Sequence, residues 1–384
     1  MRIVADENIP LLESFFGDIG EIRPVSGRTM SAADVQNADI LLVRSVTRVN
    51  QALLEGSRVR FVGTCTIGTD HVDQKWLESS GIAFSAAPGC NANSVVEYVL
   101  SVISLHAEKR GVADWSKLSV GIVGAGNVGG ELARKLDRLG FNVRLCDPPR
   151  AEREGDEGEK FVSLDEAMAC DVVTLHTPLT REGEHATLHM FGQERLSSLT
   201  EDQLLINTSR GEVIETSSLL ARLEAPNAPT VVLDVFEHEP RVNAELVEKV
   251  WLVTPHIAGY SLEGKVQGSE VVYQALSRYM GLPARKKAGQ FLPEPALSKL
   301  SFTSAAEEMA SANIAIRSCY DPRQDDARMR LAMALPPEDR AQAFDRLRRD
   351  YPVRREFSSL KIQLKGTSKS MQDTFRALGF KLKL

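Results

Sequence analysis

Long apolar runs are missing from this sequence of 384 residues, and no stretch approaches the roughly 20 apolar residues of a membrane-spanning helix. The first residues, MRIVADENIPLLESFF, also lack a basic region followed by an apolar stretch, so we expect no secretory signal and a cytoplasmic location. Cysteine is scarce, and the five cysteines stand singly rather than in the paired spacing of a zinc site or a redox motif. We therefore expect reduced thiols in apolar surroundings.

Charge and apolar content are those of an ordinary globular protein, since 43% of the residues are hydrophobic and 26% are charged. The chain is too long for one core and predicts two or three domains. Residues 289–384 carry 17 Lys and Arg against 12 Asp and Glu, whereas the whole chain has a net charge of −6. Acidic and apolar residues interrupt the basic ones, so we expect a solvated or subunit-contact surface there and no binding to nucleic acid.

Short β-branched apolar runs alternate with helical patterns over most of the chain. One series runs from RIVAD to AFSAA, and a second, from SVGIVGAG to VWLVTPH, follows the amphipathic stretch 91–109. Such alternation is typical of parallel sheets with helices on both faces. We therefore predict an α/β fold with two doubly wound domains, the first flavodoxin-like and the second a dinucleotide-binding Rossmann domain.

The last segment, 289–384, follows a stretch rich in proline, glycine and lysine that is typical of a linker. Its pattern predicts a smaller α+β domain with helices near 304–318 and 338–349 and strands near 357–364 and 379–384. The helical pattern just before the linker is expected to pack back on the first domain. The predicted domains are 1–94 with 257–288, 95–256, and 289–384.

A glycine-rich turn stands between an apolar strand and a helix in VGIVGAGNVGGELARKL. Gly124, Gly126 and Gly129 fit the G-x-G-x-x-G pattern, which combines a tight turn, close approach to a pyrophosphate and close helix packing. The free amides of the helix N-terminus near Asn127 favour an anion. The pattern alone recurs by chance as a structural turn, but Asp147 ends the next strand about 20 residues further on, where an acid binds a ribose. Together these features predict a dinucleotide site.

The predicted cofactor is NAD rather than NADP. The carboxylate of Asp147 repels a 2′-phosphate at short range, because like charges repel. The nearby Arg150 argues in the other direction.

Three segments at the ends of later strands each carry a candidate catalytic residue, and they are INTSRGEVIE, LDVFEHEP and TPHIAGYS. Arg210 offers a planar fork of donors for the carboxylate of a 2-hydroxy acid, with a surface arginine as the alternative. His256 could take the hydroxyl proton while hydride leaves for the nicotinamide, and Glu239 could hold the imidazole in the right tautomer. Alone, His256 would more often be a structural histidine, but this combination downstream of a cofactor loop predicts a dehydrogenase. Asp234 either orients the nicotinamide amide or terminates its strand.

A competing site is the segment HATLH. His185 and His189 would face the same way if the segment were helical, as metal ligands do. No glutamate lies between them to act as a base. We therefore expect solvated loop histidines and no metal.

The segments around Arg210 and His256 resemble those of the D-isomer-specific 2-hydroxyacid dehydrogenases, and the likeness extends over the chain up to its C-terminal segment. A closer resemblance is to a branch of that family that oxidises a phosphorylated four-carbon hydroxy acid in pyridoxal phosphate synthesis. Tyr260 distinguishes this branch from phosphoglycerate dehydrogenases. The motifs that carry it are ADENIPL at 5–11, VRSVT at 43–47, GTCTIGTDHVD at 63–73, PGCNANSVVEY at 88–98, HTPLTREGEHATLHM at 176–190 and HIAGYSLEGK at 256–265.

The resemblance implies that Ser45, Thr66 and Tyr260 contact the substrate, although Ser45 and Thr66 could instead cap helices. It also implies a homodimer formed through residues 289–384, which include RREFSSLKI. The residues implied in NAD binding are Gly124, Gly126, Asn127, Val128, Gly129, Asp147, Thr177, Thr208, Ser209, Asp234 and Gly259.

A phosphorylated substrate needs cationic donors, and Arg44, Arg48 and Lys265 lie in or beside the matching motifs. We therefore predict that they bind the phosphate. Closure of the first domain over the second, about hinges at 91–94 and 257–262, is expected because hydride transfer benefits from the exclusion of water.

The sequence departs from the branch at three positions. Cys65 stands where a small residue is expected, and Phe236 and His238 stand where tryptophan and asparagine are expected. These changes concern packing and fine specificity more than the type of reaction. Two alternatives stay open: another 2-hydroxyacid dehydrogenase, such as one acting on phosphoglycerate, and an NAD-sensing corepressor-like protein, which predicts a disordered tail.

Overall fold

The computed structural model of the protein describes residues 1–155 and 160–383. The chain forms two compact units, one made of Met1–Asn93 with Tyr260–Glu294 and the other of Ser94–Gly259 with Pro295–Leu384. The C-terminal segment belongs to the second unit and carries a sheet of its own, so the division into three domains stays a prediction. Within the described ranges no helix is long and apolar enough to cross a membrane.

The first unit contains a five-stranded, fully parallel sheet in the order β2-β1-β3-β4-β5. This order is that of a flavodoxin-like domain, as predicted. The elements up to the end of the sheet are β1 (Arg2–Asp6), α1 (Leu12–Phe16), β2 (Glu21–Val25), α2 (Ala32–Val35), β3 (Ile40–Val43), α3 (Gln51–Leu54), β4 (Phe61–Thr64), α4 (Gln74–Ser79) and β5 (Ala83–Ser85).

Both faces of this sheet are covered by apolar side chains. Ile40 and Leu42 of β3 point into one buried cluster, while Leu41 and Val43 point into another on the opposite face. This is why the strand is continuously apolar instead of alternating with polar residues.

The second unit begins within the long helix α5 and contains a six-stranded parallel sheet in the order β11-β10-β9-β8-β6-β7. The strand order reverses at β6, and ligands of open parallel sheets bind outside the carboxyl ends of strands at such a point. The elements are α5 (Ala92–Lys109), β6 (Ser119–Val123), α6 (Asn127–Arg138), β7 (Asn142–Cys146), α7 (Pro148–Glu154), α8 (Leu164–Met168), β8 (Val172–Leu175), α9 (Gln193–Ser198), β9 (Leu204–Asn207), α10 (Thr216–Glu224), β10 (Thr230–Leu233), α11 (Ala244–Lys249) and β11 (Leu252–Val253).

The chain then adds α12 to the first unit and a C-terminal segment to the second. Met329 and Phe344 of that segment are buried in the same apolar cluster as the six-stranded sheet. The strands of the segment pair in parallel in the order β12-β13-β14. The remaining elements are α12 (Leu262–Tyr279), β12 (Lys299–Thr303), α13 (Glu308–Cys319), α14 (Arg323–Met333), α15 (Pro337–Arg349), β13 (Lys361–Lys365), α16 (Lys369–Leu378) and β14 (Lys381–Lys383).

Sequence patterns missed three elements of this segment, namely β12, α14 and α16. The predicted strand near 379–384 corresponds to β14, and residue 384 lies outside the described residues. Charged residues interrupt the apolar pattern of α14, and only one face of β12 is buried. Neither element therefore has the apolar periodicity by which helices and strands are predicted. The disordered tail expected for a corepressor-like protein is absent from residues 295–383, where helices and strands dominate.

Candidate active site

The glycine turn follows β6 at the point where the strand order reverses. Gly124 has a φ of 93°, which favours glycine, and a Cβ there would lie 2.8 Å from the backbone of His176. A Cβ at Gly129 would collide with the carbonyl oxygen of Gly124. Gly126 instead faces open space. The turn therefore has the predicted tight bend, close helix packing and room for a ligand.

A pyrophosphate fits this place by two observations. Helix α6 starts at Asn127 and Val128 with no side chain capping its first amides, which are the donors that bind anions at helix N-termini. Across the turn, the hydroxyl of Thr177 is buried and has no hydrogen-bond partner among the residues that the structure describes. A buried hydroxyl of this kind needs a partner, which a bound dinucleotide would supply.

Asp147 lies at the end of β7, beside the turn. Its carboxylate accepts hydrogen bonds from the backbone amides of Ala125 (2.8 Å) and Arg150 (3.0 Å). The guanidinium of Arg150 donates to the carbonyl of Ala125 (2.8 Å) and pairs with Glu154 (2.5 Å). Because Arg150 already has acceptors of its own, the arrangement favours an uncharged ribose hydroxyl next to Asp147 over a 2′-phosphate.

The structure brings His256 and Glu239 together. The imidazole Nδ1 lies 2.7 Å from a Glu239 oxygen, and the other carboxylate oxygen accepts a hydrogen bond from the amide of Phe236 (2.9 Å). Burial raises the pKa of Glu239, but the charge and hydrogen bond of His256 and the charge of Arg348 outweigh it and hold this pKa below its ordinary value. The carboxylate is therefore ionised near neutral pH and ready to stabilise a protonated imidazole.

Asp234 anchors the loop that carries His256. Its buried carboxylate accepts hydrogen bonds from the amides of Ile257 (2.8 Å) and Ala258 (2.9 Å) and from the hydroxyl of Thr254 (2.6 Å). Burial raises the pKa of Asp234 to about 6. The predicted contact of Asp234 with NAD stays a prediction, as does that of Gly259 in the same loop.

Arg210 follows β9 in a loop that Asn207 shapes. Asn207 accepts hydrogen bonds from the amide and hydroxyl of Ser209 and donates to the carbonyl of Arg210 (2.9 Å). The guanidinium of Arg210 donates to the carbonyl of Ser209 (2.9 Å), and the side chain is half-buried. Thr208, in the same loop, lies 3.2 Å from a ring nitrogen of His176.

Sequence reasoning missed His176 as a part of this site. Its second ring nitrogen lies 3.0 Å from the hydroxyl of Thr174, so the imidazole connects the ends of β8 and β9. Burial lowers the pKa of His176 to about 3, so the ring is neutral. The sequence did contain a signal for this role: His176 directly follows β8 and precedes Thr177, which was predicted to bind NAD.

The first unit carries the other predicted residues on loops after its strands. Ser45 is exposed in the turn after β3, and Thr66, after β4, contacts the hydroxyl of Thr64 (2.8 Å) and the carbonyl of Gly68 (3.1 Å). The idea that Ser45 and Thr66 cap helices is wrong, because Asn50 and Asp73 cap α3 and α4. Ser45 and Thr66 therefore stand at the carboxyl ends of β3 and β4 without capping a helix.

A cation of the first unit, Lys265, lies beside Tyr260 and is close enough to Arg44 for their charges to interact. The ammonium of Lys265 is 4.5 Å from the ring centroid of Tyr260. Burial, and then the charge of Arg44, lower the pKa of Lys265 to about 8. Arg44 is half-buried, whereas Arg48 is exposed. An anion placed here would relieve the repulsion between Lys265 and Arg44.

His185 and His189 do not share a helical face, because their segment forms turns. The first pairs with Glu152 (2.6 Å) and the second with Glu237 (2.7 Å). Residues 1–155 and 160–383 contain no group of three or more His, Cys, Asp or Glu side chains that could hold a metal ion.

The three departures from the family pattern lie in different surroundings. Cys65 is buried, and burial raises the pKa of its thiol to about 12. Phe236 is buried against Phe344 at 6.3 Å between ring centroids, in an edge-to-face arrangement. His238 has a φ of 61° in the loop between Phe236 and Glu239. Phe236 therefore affects the loop that carries Glu239 through packing.

Residues 103–258 match the family model described as D-isomer specific 2-hydroxyacid dehydrogenase, NAD binding domain. Residues 291–379 match a domain of unknown function. The first match covers the glycine turn, Asp147 and the pair of Glu239 with His256. The predicted NAD cofactor is thereby confirmed.

Two curated relatives share one name, and a more distant solved structure shares the fold. The chain is 71% identical to the erythronate-4-phosphate dehydrogenase of Marinobacter nauticus, and the alignment covers the full length of both proteins. It is 50% identical over 388 aligned positions to that of Chromohalobacter salexigens, covering 100% of the chain and 99% of the relative. The D-lactate dehydrogenase from Aquifex aeolicus complexed with NAD and lactic acid shares the fold, with a TM-score of 0.59 and 22% identity over 73% of this chain and 96% of that one. The chain thus belongs to the erythronate-4-phosphate dehydrogenases, a branch of the NAD-dependent, D-isomer-specific 2-hydroxyacid dehydrogenases.

Proposed function

We propose that this chain oxidises 4-phospho-D-erythronate to 2-oxo-3-hydroxy-4-phosphobutanoate with NAD, as a step in the synthesis of pyridoxal 5′-phosphate. The observation that carries the proposal is the 2.7 Å pair of Glu239 with His256 in an NAD-binding unit. The names of relatives 71% and 50% identical support the choice of substrate.

His256 is the general base of the proposed reaction. Glu239 accepts the hydrogen of Nδ1, which leaves Nε2 to take the proton of the substrate's hydroxyl group. Arg210 binds the substrate carboxylate through its guanidinium fork and so orients the hydroxyl toward the imidazole. NAD, when bound, would accept the hydride from the carbon that bears this hydroxyl group. The protein's own side chains thus orient the substrate and accept its proton.

The residues that hold NAD surround the carboxyl ends of β6, β7, β8, β9 and β10. The glycine turn and the first amides of α6 bind the pyrophosphate, and Asp147 binds the adenosine ribose. The remaining contacts come from loops that follow later strands. The full set is Gly124, Gly126, Asn127, Val128, Gly129, Asp147, Thr177, Thr208, Ser209, Asp234 and Gly259.

Arg44 and Lys265 bind the substrate phosphate in this proposal, with Arg48 as a more exposed third cation. Their proximity supports the role, because a doubly charged phosphate relieves their mutual repulsion. Ser45, Thr66 and Tyr260 supply uncharged contacts to the same substrate.

Changing Arg44 or Lys265 to methionine should therefore raise the KM for the phosphorylated acid by about tenfold or more, in steady-state kinetics. Arg60→Met is the matched control, because Arg60 is exposed and lies 4.0 Å from Asp39 on the same unit. An unchanged KM in both site variants would remove these residues from the phosphate site.

The substrate assignment is tested by the rate of NADH formation with 4-phospho-D-erythronate, 3-phosphoglycerate and D-lactate side by side. The proposal expects the highest kcat/KM for the first acid. A preference for 3-phosphoglycerate would keep the dehydrogenase chemistry and discard the assigned substrate, since the two acids differ by one carbon and one hydroxyl group.

The C-terminal segment forms the dimer interface, and the enzyme acts in the cytoplasm, in this proposal. An open groove of about 600 Å³ lies beside α14 and α15, and Leu331 and Leu335 on its rim are 72% and 40% exposed. Exposed apolar side chains around a groove favour a protein contact. Leu331→Asp should yield monomers in sedimentation velocity, whereas the control Leu282→Asp, outside the C-terminal segment at a site 42% exposed, should stay dimeric. Monomeric wild-type protein would refute the interface.

A further inference from the structure

Arg354 connects the C-terminal segment to both ends of another stretch of the second unit. Its guanidinium donates to the carbonyl of Ser94 (2.6 Å) and to the carbonyl of Ala258 (3.0 Å). Ser94 and Gly259 are the first and last residues of the stretch that carries the NAD-binding sheet. The side chain is 5% exposed, and its central carbon lies 3.9 Å from the ring centroid of Tyr320. One buried side chain thus holds two backbone segments at a fixed distance.

Neighbours of Arg354 strengthen the contact with α5. The hydroxyl of Ser94 donates to Glu356 (2.9 Å), and the amide of Phe357 donates to both carboxylate oxygens of Glu97 (3.0 Å each). Burial, and then the nearby charge of Glu356, raise the pKa of Glu97 to about 8. The positive charges of Lys135 and Arg354 partly offset this effect, so Arg354 contributes to the compensation of a buried acidic cluster.

On its other side, Arg354 acts on the loop of the proposed catalytic base. The amide of Ala258 is held by Asp234, and the carbonyl of Ala258 by Arg354, so this residue is fixed from both directions. His256 lies two positions earlier with a φ of 56°, a backbone conformation that is uncommon for residues other than glycine and that the surrounding structure must hold. The orientation of the imidazole therefore depends on how firmly the residues after it are held.

The contact requires an arginine. Its planar guanidinium presents several N–H donors in fixed directions and can reach two carbonyl oxygens at once. Lysine keeps the charge but offers a single ammonium at the end of a flexible stem. Arg354→Lys should thus preserve the compensation of the acidic cluster and lose one of the two carbonyl contacts.

We propose that Arg354 is a positioning residue for hydride transfer: by joining the carbonyls of Ser94 and Ala258, it lets the C-terminal segment set the position of His256. The inference rests on the proposed function of His256 as the base. Since a displacement of about 1 Å in an active site costs about a hundredfold in rate, loss of one contact should lower kcat by about 10- to 100-fold. Cofactor binding should change by less than about twofold, because most of the proposed NAD contacts lie in other loops.

The test combines Arg354→Lys with Ser94→Ala, which removes the hydroxyl contact to Glu356 and leaves the carbonyl of Ser94 in place. Arg376→Lys is the matched control, because Arg376 is 47% exposed and pairs with Asp373 at the surface. Steady-state kinetics separate kcat from the KM for NAD. Hydrogen–deuterium exchange of the amides of Ile257 and Ala258 reports directly on how firmly the loop is held.

The proposal expects Arg354→Lys to lower kcat with little change in the KM for NAD, together with faster exchange of both amides. Ser94→Ala should show the same changes more weakly, and Arg376→Lys neither of them. Wild-type kcat or wild-type exchange in folded Arg354→Lys protein would overturn the proposal. If that variant does not fold, Arg354→Gln takes its place, because its amide lacks the guanidinium fork, and wild-type kcat or wild-type exchange in that folded variant overturns the proposal instead. A wild-type enzyme inactive on every 2-hydroxy acid would refute the proposed function, and amide exchange alone would then decide whether Arg354 holds the loop.

Discussion

Replacing Glu239 by glutamine tests the proposed catalytic pair of Glu239 and His256 more sharply than removing His256. The two carboxylate oxygens of Glu239 are both in use, one toward Nδ1 of His256 at 2.7 Å and the other toward the amide of Phe236 at 2.9 Å. Glutamine has the same shape but only one acceptor oxygen and no charge. Either the imidazole or the amide must then face an NH₂ group, so one of the two donors loses its acceptor.

The size of the effect follows from the bond that is lost. A hydrogen bond to a charged group contributes about 1.5–3 kcal/mol, and the side chains of Glu239 and His256 are only 19% and 33% exposed, so water replaces it poorly. That free energy corresponds to a fall in kcat of about 10- to 150-fold if it stabilises the protonated imidazole in the transition state.

The chain supplies its own control for this prediction. Glu237 pairs with His189 at 2.7 Å and accepts a hydrogen bond from the amide of Thr216 at 2.8 Å, so it makes the same two contacts away from the proposed base. Steady-state oxidation of 4-phospho-D-erythronate should show a large fall in kcat for Glu239→Gln and less than about a twofold change for Glu237→Gln. Equal kcat values for the two variants would refute the assigned role of Glu239.

Three further predictions concern the cofactor and the phosphate. Gly129→Ala should weaken NAD binding by about tenfold or more in a fluorescence titration, because its Cβ collides with the backbone of the glycine turn; unchanged affinity would contradict the packing argument. Asp147→Ser should raise kcat/KM for NADP relative to NAD by about tenfold or more, since the repulsive charge is removed while Arg150 remains; an unchanged ratio would mean that Asp147 does not face the ribose. Because the pKa of Lys265 is lowered to about 8, this side chain loses its charge as the pH rises through that value, and the KM for the phosphorylated acid should rise in alkaline solution. Lys265→Met should abolish that rise, and a rise that persists would assign it to another group.

Much of the fold could be predicted from the sequence because parallel sheets covered on both faces have continuously apolar strands. ILLV in β3 and LLIN in β9 are completely buried, and both were recognisable without a structure. The glycine turn was recognisable because steric limits leave no other residue at Gly124 and Gly129. The α/β fold and the NAD cofactor predicted from these features are confirmed, and so is the family, which was predicted from the resemblance of the motifs.

The C-terminal segment shows where prediction from sequence fails. Its basic residues predict a solvated or subunit-contact surface, but Arg354 is buried at 5% exposure and bound to backbone carbonyls far away in the sequence. No local pattern distinguishes this arginine from an exposed one, because its partners come from other elements. The burial of Met329 in α14 could not be predicted for the same reason, since it packs in the apolar cluster of the six-stranded sheet.

The most direct measurement follows deuterium from 4-phospho-D-erythronate labelled at carbon 2. Mass spectrometry of the reduced cofactor should find one deuterium per NADH formed, and His256→Ala should form almost none of this product. Unlabelled NADH, or turnover by the His256→Ala variant at the wild-type rate, would contradict the oxidation of the 2-hydroxy acid by direct hydride transfer with His256 as the base.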